Sequence, residues 1–271
     1  MSTHEAEIKS GQRFEFGRNW ADFSTTLTPE RIRIAELSLI EMLRMEDLSG
    51  KKFLDAGSGS GLFSLAARNL GATVHSFDFD PESVSCTQSL RKQFFANDPG
   101  WLVEEGSVLD PEYLGALGEF DIVYSWGVLH HTGDMWAAIE NVAGCVKPGG
   151  LFFIAIYNDQ GDKSRYWRRA KEIYCSGVFG KALILATHVP YFFIRAISKS
   201  IIRRHNAFSH YKNSRGMSIL HDWYDWLGGL PFEVASVENI FLFLQSKGFD
   251  LQNIRTTNGN GNNQFVFLRK V

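Results

Sequence analysis

The chain has 271 residues, 44% of them hydrophobic, and a formal net charge of -2, enough for one large core carrying an elaboration and without a global bias toward polyanions. Its three cysteines, Cys86, Cys145 and Cys175, form no Cys-x-x-Cys pair, which supports neither a disulfide framework nor a zinc knuckle and suits a reducing, cytoplasmic setting. The first ten residues lack the apolar run of a secretory signal, and the most apolar window, residues 182–194, contains His188 and Pro190 and is too short to span a bilayer.

In chain order, an aromatic cluster of Phe14, Phe16, Trp20 and Phe23 precedes a helical pattern over residues 29–45. Short β-rich runs follow at 52–56, 73–77, 101–104, 120–125 and 151–157, alternating with helical patterns at 60–70, 81–96 and 133–145. Such alternation implies βαβ units and a parallel sheet. Lys147-Pro148-Gly149-Gly150 reads as a helix stop and a turn into the next strand. Beyond Tyr157 the alternation stops until a helix at 237–247, ended by Gly248, and two strands at 249–256 and 264–269. The Asn-Gly steps of Asn258-Gly259-Asn260-Gly261 between those strands suit a tight hairpin. The expected fold is a doubly wound α/β architecture. Its seven-stranded sheet is mostly parallel with an antiparallel last strand, and a helical insertion follows the fifth strand.

The first strand leads to its helix through Phe53-Leu54-Asp55-Ala56-Gly57-Ser58-Gly59-Ser60-Gly61-Leu62-Phe63-Ser64. Glycines there let the backbone approach a ligand and adopt positive φ. A dinucleotide fingerprint spaces them GxGxxG and places a helix N-terminus on a pyrophosphate; this loop reads GxGxG behind a carboxylate, which suits a cationic ligand better than a diphosphate. A second acid, Asp78, closes the next strand, where a carboxylate can accept both hydroxyls of a ribose.

Taken with Phe120-Asp121-Ile122-Val123-Tyr124-Ser125-Trp126-Gly127-Val128-Leu129-His130-His131 and the Lys-Pro-Gly-Gly turn, residues 51–157 resemble the class I S-adenosylmethionine-dependent methyltransferases. The likeness is to their small-molecule branch, similar to the ubiquinone-biosynthesis type. It implies S-adenosylmethionine as cofactor, with Asp55, Gly57 and Gly59 lining its methionine and ribose portions and Asp78 holding the ribose. Ser58, Gly61, Phe79, Val108 and Trp126 complete the implied cofactor-binding set, and Trp20 is the candidate for a lid that screens the sulfonium. Ser107 stands where many relatives carry an acid for the adenine amino group. The Asn-Pro-Pro-Tyr element of enzymes that methylate amino groups is replaced by Tyr124-Ser125-Trp126-Gly127, so no nucleic-acid partner is expected. The resulting division is an N-terminal lid and helix (1–50), a cofactor-binding core (51–158), a substrate-binding cap (159–235) and a C-terminal helix and strand pair (236–271).

A methyl group on a sulfonium is already activated, so the protein's task is to align a nucleophile and shed water; only a weakly acidic nucleophile also needs a base. His130 and His131 follow the fourth strand at the carboxyl edge of the sheet, where open α/β folds bind ligands. Both are candidate catalytic residues, with His131 the candidate base, set against a reading in which His130 and His131 merely shape the loop. Tyr157 and, in the insertion, Arg215, His221, Asp222, Tyr224 and Asp225 are the candidate substrate contacts, with His221 also a candidate catalytic group. Trp223 and Trp226 read better as anchors of the cap than His221, Asp222 and Asp225 read as metal ligands, so no metal is expected. Between Ile173 and His221 there is no Asp or Glu against seven basic residues: Lys181, Arg195, Lys199, Arg203, Arg204, Lys212 and Arg215. That balance fits an anionic group on the substrate, a weak contact of the amphipathic stretch 178–202 with an anionic membrane surface, or a solvated basic face. The function expected is methyl transfer to an oxygen, and next a carbon, of a small molecule or a glycan or lipid intermediate. A nicotinamide-dependent oxidoreductase is disfavoured by the glycine spacing; a non-catalytic cofactor-binding protein is the other rival.

Overall fold

The computed structural model describes residues 27–203 and 227–271, together with residues 7, 8, 10, 13 and 14. Helix α1 (Pro29–Leu43) begins at Thr28, whose side chain accepts from the Arg31 amide, with proline at its first position. It lays Ile32, Ala35, Leu39, Met42 and Leu43 on the sheet. The sheet and helices then alternate through β1 (Lys52–Ala56), α2 (Leu62–Asn69), β2 (Thr73–Asp78), α3 (Pro81–Phe94), β3 (Trp101–Glu105), α4 (Pro111–Leu117), β4 (Phe120–Trp126), α5 (Met135–Gly144) and β5 (Val146–Tyr157). Helices α6 (Asp162–Cys175) and α7 (Val178–Arg203) follow, and α8 (Val237–Ser246), β6 (Phe249–Arg255) and β7 (Asn262–Arg269) complete the described chain.

The strand order is β3-β2-β1-β4-β5-β7-β6. All neighbours are parallel except β7, which is antiparallel to both β5 and β6. This is the expected seven-stranded sheet. Because the order reverses between β1 and β4, their loops diverge and open a crevice at the carboxyl edge.

Alternate residues along each strand face opposite layers. Leu54, Phe77, Val123, Phe152 and Phe267 pack with α4, α5 and α8, whereas Phe53, Val74, Ile122, Tyr124 and Phe153 pack with α1, α2 and α3. Three helices start sharply because an aspartate caps them: Asp80 accepts from the Glu82 amide at 2.9 Å, Asp110 from Glu112 and Tyr113 at 3.0 Å, and Asp134 from Ala137 at 3.2 Å. Helix α4 has no counterpart in the periodicity, since seven residues are too few to show one; only Asp110-Pro111 announces it.

Two features differ from the reading of the sequence. Lys147-Pro148-Gly149-Gly150 is not a turn ahead of a strand but an excursion within β5, whose pairing passes from Phe120↔Val146 directly to Ile122↔Leu151. Gly149 has φ +74°, and a Cβ on Gly150 would come within 2.9 to 3.1 Å of the carbonyl oxygens of Lys147, Asp121 and Phe120. The excursion carries Lys147 to Asp121, which also accepts from the Lys52 amide at 2.8 Å and so ties β1, β4 and β5 together. The final hairpin is wider than a tight turn. Strand β7 already begins at Asn262, and Asn263 closes the loop by accepting from the Thr257 amide at 3.0 Å and donating to Asn158 at 3.1 Å.

The segment after β5 is helical as expected: Ala170 and Tyr174 of α6 bury against Ile184 of α7 and Leu227, with Phe14 packed on the same cluster. Among the described residues no helix is long and apolar enough to cross a membrane.

Gly150→Ala should cost about 1–3 kcal/mol of stability, because the three carbonyls around it belong to backbone that cannot move without breaking the β4–β5 ladder. Urea unfolding monitored by circular dichroism gives the value; a loss below about 0.5 kcal/mol would show that the excursion relaxes.

Candidate active site

The loop after β1 is held on both sides by backbone. The amides of Gly57 and Ser58 donate to the Phe77 carbonyl at 2.9 and 3.0 Å, and Gly57 has φ +87°. A Cβ on Gly57 would lie 2.4 Å from a Val128 methyl, so the loop after β4 touches the loop after β1 at a point only glycine fills. Gly61 caps α2 from the left-handed region, and a Cβ there would meet Thr87 at 3.0 Å. Thr87 in turn donates to the Gly59 carbonyl at 3.2 Å and lies 3.0 Å from the Ser58 hydroxyl. Nothing in the sequence singled out Thr87, since a lone threonine in a helical pattern carries no signal of what it faces.

Two carboxylates flank this loop. Asp78 accepts from the Gly59 amide through one oxygen and from the Asp80 amide through the other, each at 2.9 Å. Each oxygen has a further lone pair. Burial pushes the Asp78 carboxyl up to about 6, against the pull of those backbone hydrogen bonds. Asp55 is buried and accepts from the Ser64 hydroxyl. Trp101 Nε1 donates to Ser76 at 2.9 Å, and Ser76 and Ser64 are 2.7 Å apart; since an indole only donates and Ser64 gives its proton to Asp55, the chain runs from Trp101 to Asp55. Burial pushes Asp55 up to about 7, with the neighbouring charge of Asp78 adding to the rise. A cationic ligand beside this pair returns both to the ionised form.

Around the crevice, Phe79 lies under the Arg13 guanidinium at 5.0 Å and Trp126 is partly exposed at the end of β4. Ser107 accepts from the Leu109 amide at 3.1 Å, shaping the turn that carries the buried Val108.

On the other side, the 3-10 turn Leu129–His131 presents the histidines. His130 is 0% exposed and stacks on Tyr157 with ring centroids 3.9 Å apart, yet neither ring nitrogen has a hydrogen-bond partner among the described residues. His131 donates from Nδ1 to the Pro231 carbonyl at 2.6 Å. Burial pushes its pKa down to about 3, and burial likewise holds that of His130 well below the usual range, so both rings are neutral at ordinary pH. Arg13 donates to the His131 carbonyl at 3.2 Å and to Glu7 at 2.6 Å, so one side chain bridges Phe79 and the histidine turn. Arg13 escaped the sequence reading; its only signal was a charge among the N-terminal aromatics.

Trp20, Arg215, His221, Asp222, Tyr224 and Asp225 lie outside the described residues. Among the described residues no cluster of three His, Cys, Asp or Glu side chains is arranged to hold a metal.

A family model described as a methyltransferase domain matches residues 30–206. The chain belongs to this methyltransferase family. Ubiquinone biosynthesis O-methyltransferase of Thiobacillus denitrificans is 30% identical over 145 residues, which are 53% of this chain and 60% of that protein. The protein of the same name from Escherichia coli O157:H7 is 30% identical over 162 residues, 58% of this chain and 65% of its own. The matches thus span less than two thirds of these curated relatives. Among solved structures, magnesium protoporphyrin IX methyltransferase from Synechocystis PCC 6803 with bound SAH superposes with a TM-score of 0.53 at 15% identity, covering 88% of this chain and 83% of that one. The YcgJ protein of Bacillus subtilis gives 0.55 at 11% identity, covering 88% and 99%. These likenesses are of fold. The class I, S-adenosylmethionine-dependent methyltransferase domain expected from the glycine loop is therefore present, and the carboxylates beside the loop, Asp55 buried and Asp78 half-buried, are of the kind that a cation and a ribose can use.

Between about pH 4 and pH 7 the folded, ligand-free protein holds a proton on Asp55 that the unfolded chain has released. The unfolded state then binds fewer protons, so stability should fall as pH rises through that window. Asp55→Asn should flatten the decline, and melting temperatures collected between pH 5 and pH 8 test this; an equal slope in the variant would assign the titration elsewhere.

Proposed function

We propose that the chain is an S-adenosylmethionine-dependent methyltransferase that modifies an oxygen of a small molecule or of a glycan or lipid intermediate, with carbon as the alternative acceptor atom. The observation that carries this reading is the GxGxG loop held between Asp78 and Val128, with the buried carboxylate of Asp55 and the half-buried one of Asp78 beside it. When bound, the cofactor supplies an electrophilic methyl group. Asp78 would take the ribose hydroxyls on its remaining lone pairs, with Phe79, Ser107 and Val108 beside the adenine. Asp55, Gly57, Ser58, Gly59, Gly61 and Trp126 would face the methionine portion, and Trp20 would belong to the lid. His130, His131 and Tyr157 would wall the acceptor side, joined by Arg215, His221, Asp222, Tyr224 and Asp225. An imidazole held near a pKa of 3 is a weak proton acceptor, which favours His131 as a neutral wall over His131 as the base. The similarity to ubiquinone biosynthesis O-methyltransferases supports oxygen.

Asp78→Ala should weaken S-adenosylhomocysteine binding by at least about 1.5 kcal/mol, roughly tenfold, by leaving the ribose hydroxyls without a charged acceptor. Calorimetry measures this, with NAD as the competitor class. Affinity unchanged in the variant, or a preference for NAD, would overturn the assignment, and isotopic methyl transfer to fractionated extracts tests the activity itself.

A specific observation favours a lipid-borne acceptor. Helix α7 exposes Val178, Phe179, Leu183, Tyr191 and Ile194, Phe179 to 93%, within the stretch that carries basic residues and no acid. Such a helix can rest on an anionic bilayer with its apolar side chains at the headgroup boundary. Replacing Phe179 and Leu183 by serine should lower co-sedimentation with phosphatidylserine vesicles several-fold without altering S-adenosylhomocysteine binding. Equal sedimentation of variant and parent would leave α7 as a solvated cap.

A further inference from the structure

Among the described residues, six buried side-chain nitrogen and oxygen atoms have no hydrogen-bond partner. Four of them lie toward one edge of the sheet: both ring nitrogens of His130, just past the end of β4, Nε2 of Gln160, just past the end of β5, and Oδ1 of Asn262, the first residue of β7. Because β7 runs antiparallel to β5, its first residue stands at the carboxyl edge, where an open α/β sheet receives ligands. Buried polar atoms are almost always paired, so a group of them left unpaired beside a ligand crevice calls for a partner that binding supplies.

Tyr157 connects two of these residues. Its ring stacks on His130 with centroids 3.9 Å apart, and its partner across the ladder is Asn262; residues directly opposite in an antiparallel pair project to the same face. The Asn262 amide also approaches the end of β4, since a Cβ on Gly127 would stand 3.6 Å from its Nδ2. The next residue, Val128, fills the space of the missing Gly57 side chain, so the same short segment meets Asn262 on one side and the glycine loop on the other. Burial holds His130 neutral; its ring therefore carries one N–H donor and one bare nitrogen, while the Asn262 oxygen only accepts. One donor and two acceptors without formal charge match a hydroxyl, which both gives and takes a hydrogen bond. A carboxylate only accepts and would leave both acceptors unmet.

We propose that His130 and Asn262 are the pair that selects the acceptor, by hydrogen bonds to an un-ionised hydroxyl. The inference rests on the methyltransferase reading of the adjoining loop and adds to it the group by which the acceptor is recognised. His130 is 0% exposed, so the hydroxyl reaches it only as neighbouring side chains shift, and the hydrogen bonds gained offset that opening.

The test uses the full chain saturated with S-adenosylhomocysteine, nitrogen-15 spectra of the His130 ring, and three probes: benzyl alcohol, which donates and accepts, benzyl methyl ether, which only accepts, and benzoate, an anion. Benzyl alcohol should bind roughly fivefold tighter than either of the others and shift the His130 ring nitrogens. His130→Phe keeps a ring against Tyr157 but removes both nitrogens, and should erase the preference. Asn262→Leu should at least halve it, and decides alone if His130→Phe does not fold. Benzoate reports on the Lys171 ammonium, which lies 4.9 Å from the centroid of the Phe232 ring, itself 5.4 Å from Tyr157; tighter binding of benzoate would assign the selection to that charge and overturn the proposal. Equal affinity for the three probes, no binding of any, an alcohol that binds without shifting His130, or a preference unchanged by either substitution would overturn it too. Absence of S-adenosylhomocysteine binding in the parent would instead sink the methyltransferase reading, and the same probes on the ligand-free chain would still decide the roles of His130 and Asn262.

Discussion

The contact between Gly57 and Val128 is the constraint on which the rest of the site depends. A Cβ at position 57 would lie within 2.4 Å of a Val128 methyl, closer than nonbonded carbons approach, so any side chain there would drive the loops after β1 and β4 apart. Those two strands are adjacent in the sheet where its order reverses, and the separation of their loops defines the width of the crevice. The same loop is fastened from the β2 side through the Phe77 carbonyl and the Asp78 carboxylate. Asp55, Asp78 and the histidine turn therefore share one cleft with little freedom to drift.

Within that cleft the charges are sorted. The acids lie on the β1 and β2 side, buried enough that their carboxyls are raised toward neutral pH; the histidines are neutral on the β4 side, and a buried ammonium stands behind them. Low local polarity makes each of these arrangements matter more than it would in water. A cation is favoured where the acids are.

The inserted helices serve this arrangement from outside. Helix α6 supplies Lys171 and Tyr174, and the Tyr174 cluster receives Phe14 from the N-terminal segment. Arg13, next to Phe14, then reaches across to Phe79 and the His131 carbonyl. A short run of chain thus joins α6, Phe79 and the histidine turn, although Arg13 is more than a hundred positions from His131.

Much of this was legible before any coordinates. Strand and helix alternation, the Asp-Pro start of α3, the GxGxG spacing and the acid at Asp78 are local patterns, and local patterns follow from residues a few positions apart: period, capping and positive φ. They determined the fold class, the glycine loop and the position of the histidine turn on the sheet edge. What they left open depends on neighbours distant in the chain. Pro148-Gly149-Gly150 reads as a turn by composition and becomes an excursion inside β5 only because β4 continues alongside it. Thr87, Arg13 and Lys171 look like ordinary members of a helix or a polar tail, and the side of the molecule each one faces is decided by packing between elements. Whether an imidazole can accept a proton is likewise beyond the sequence, because His130 and His131 owe their lowered pKa values to burial, and burial exists only once the chain has closed around them.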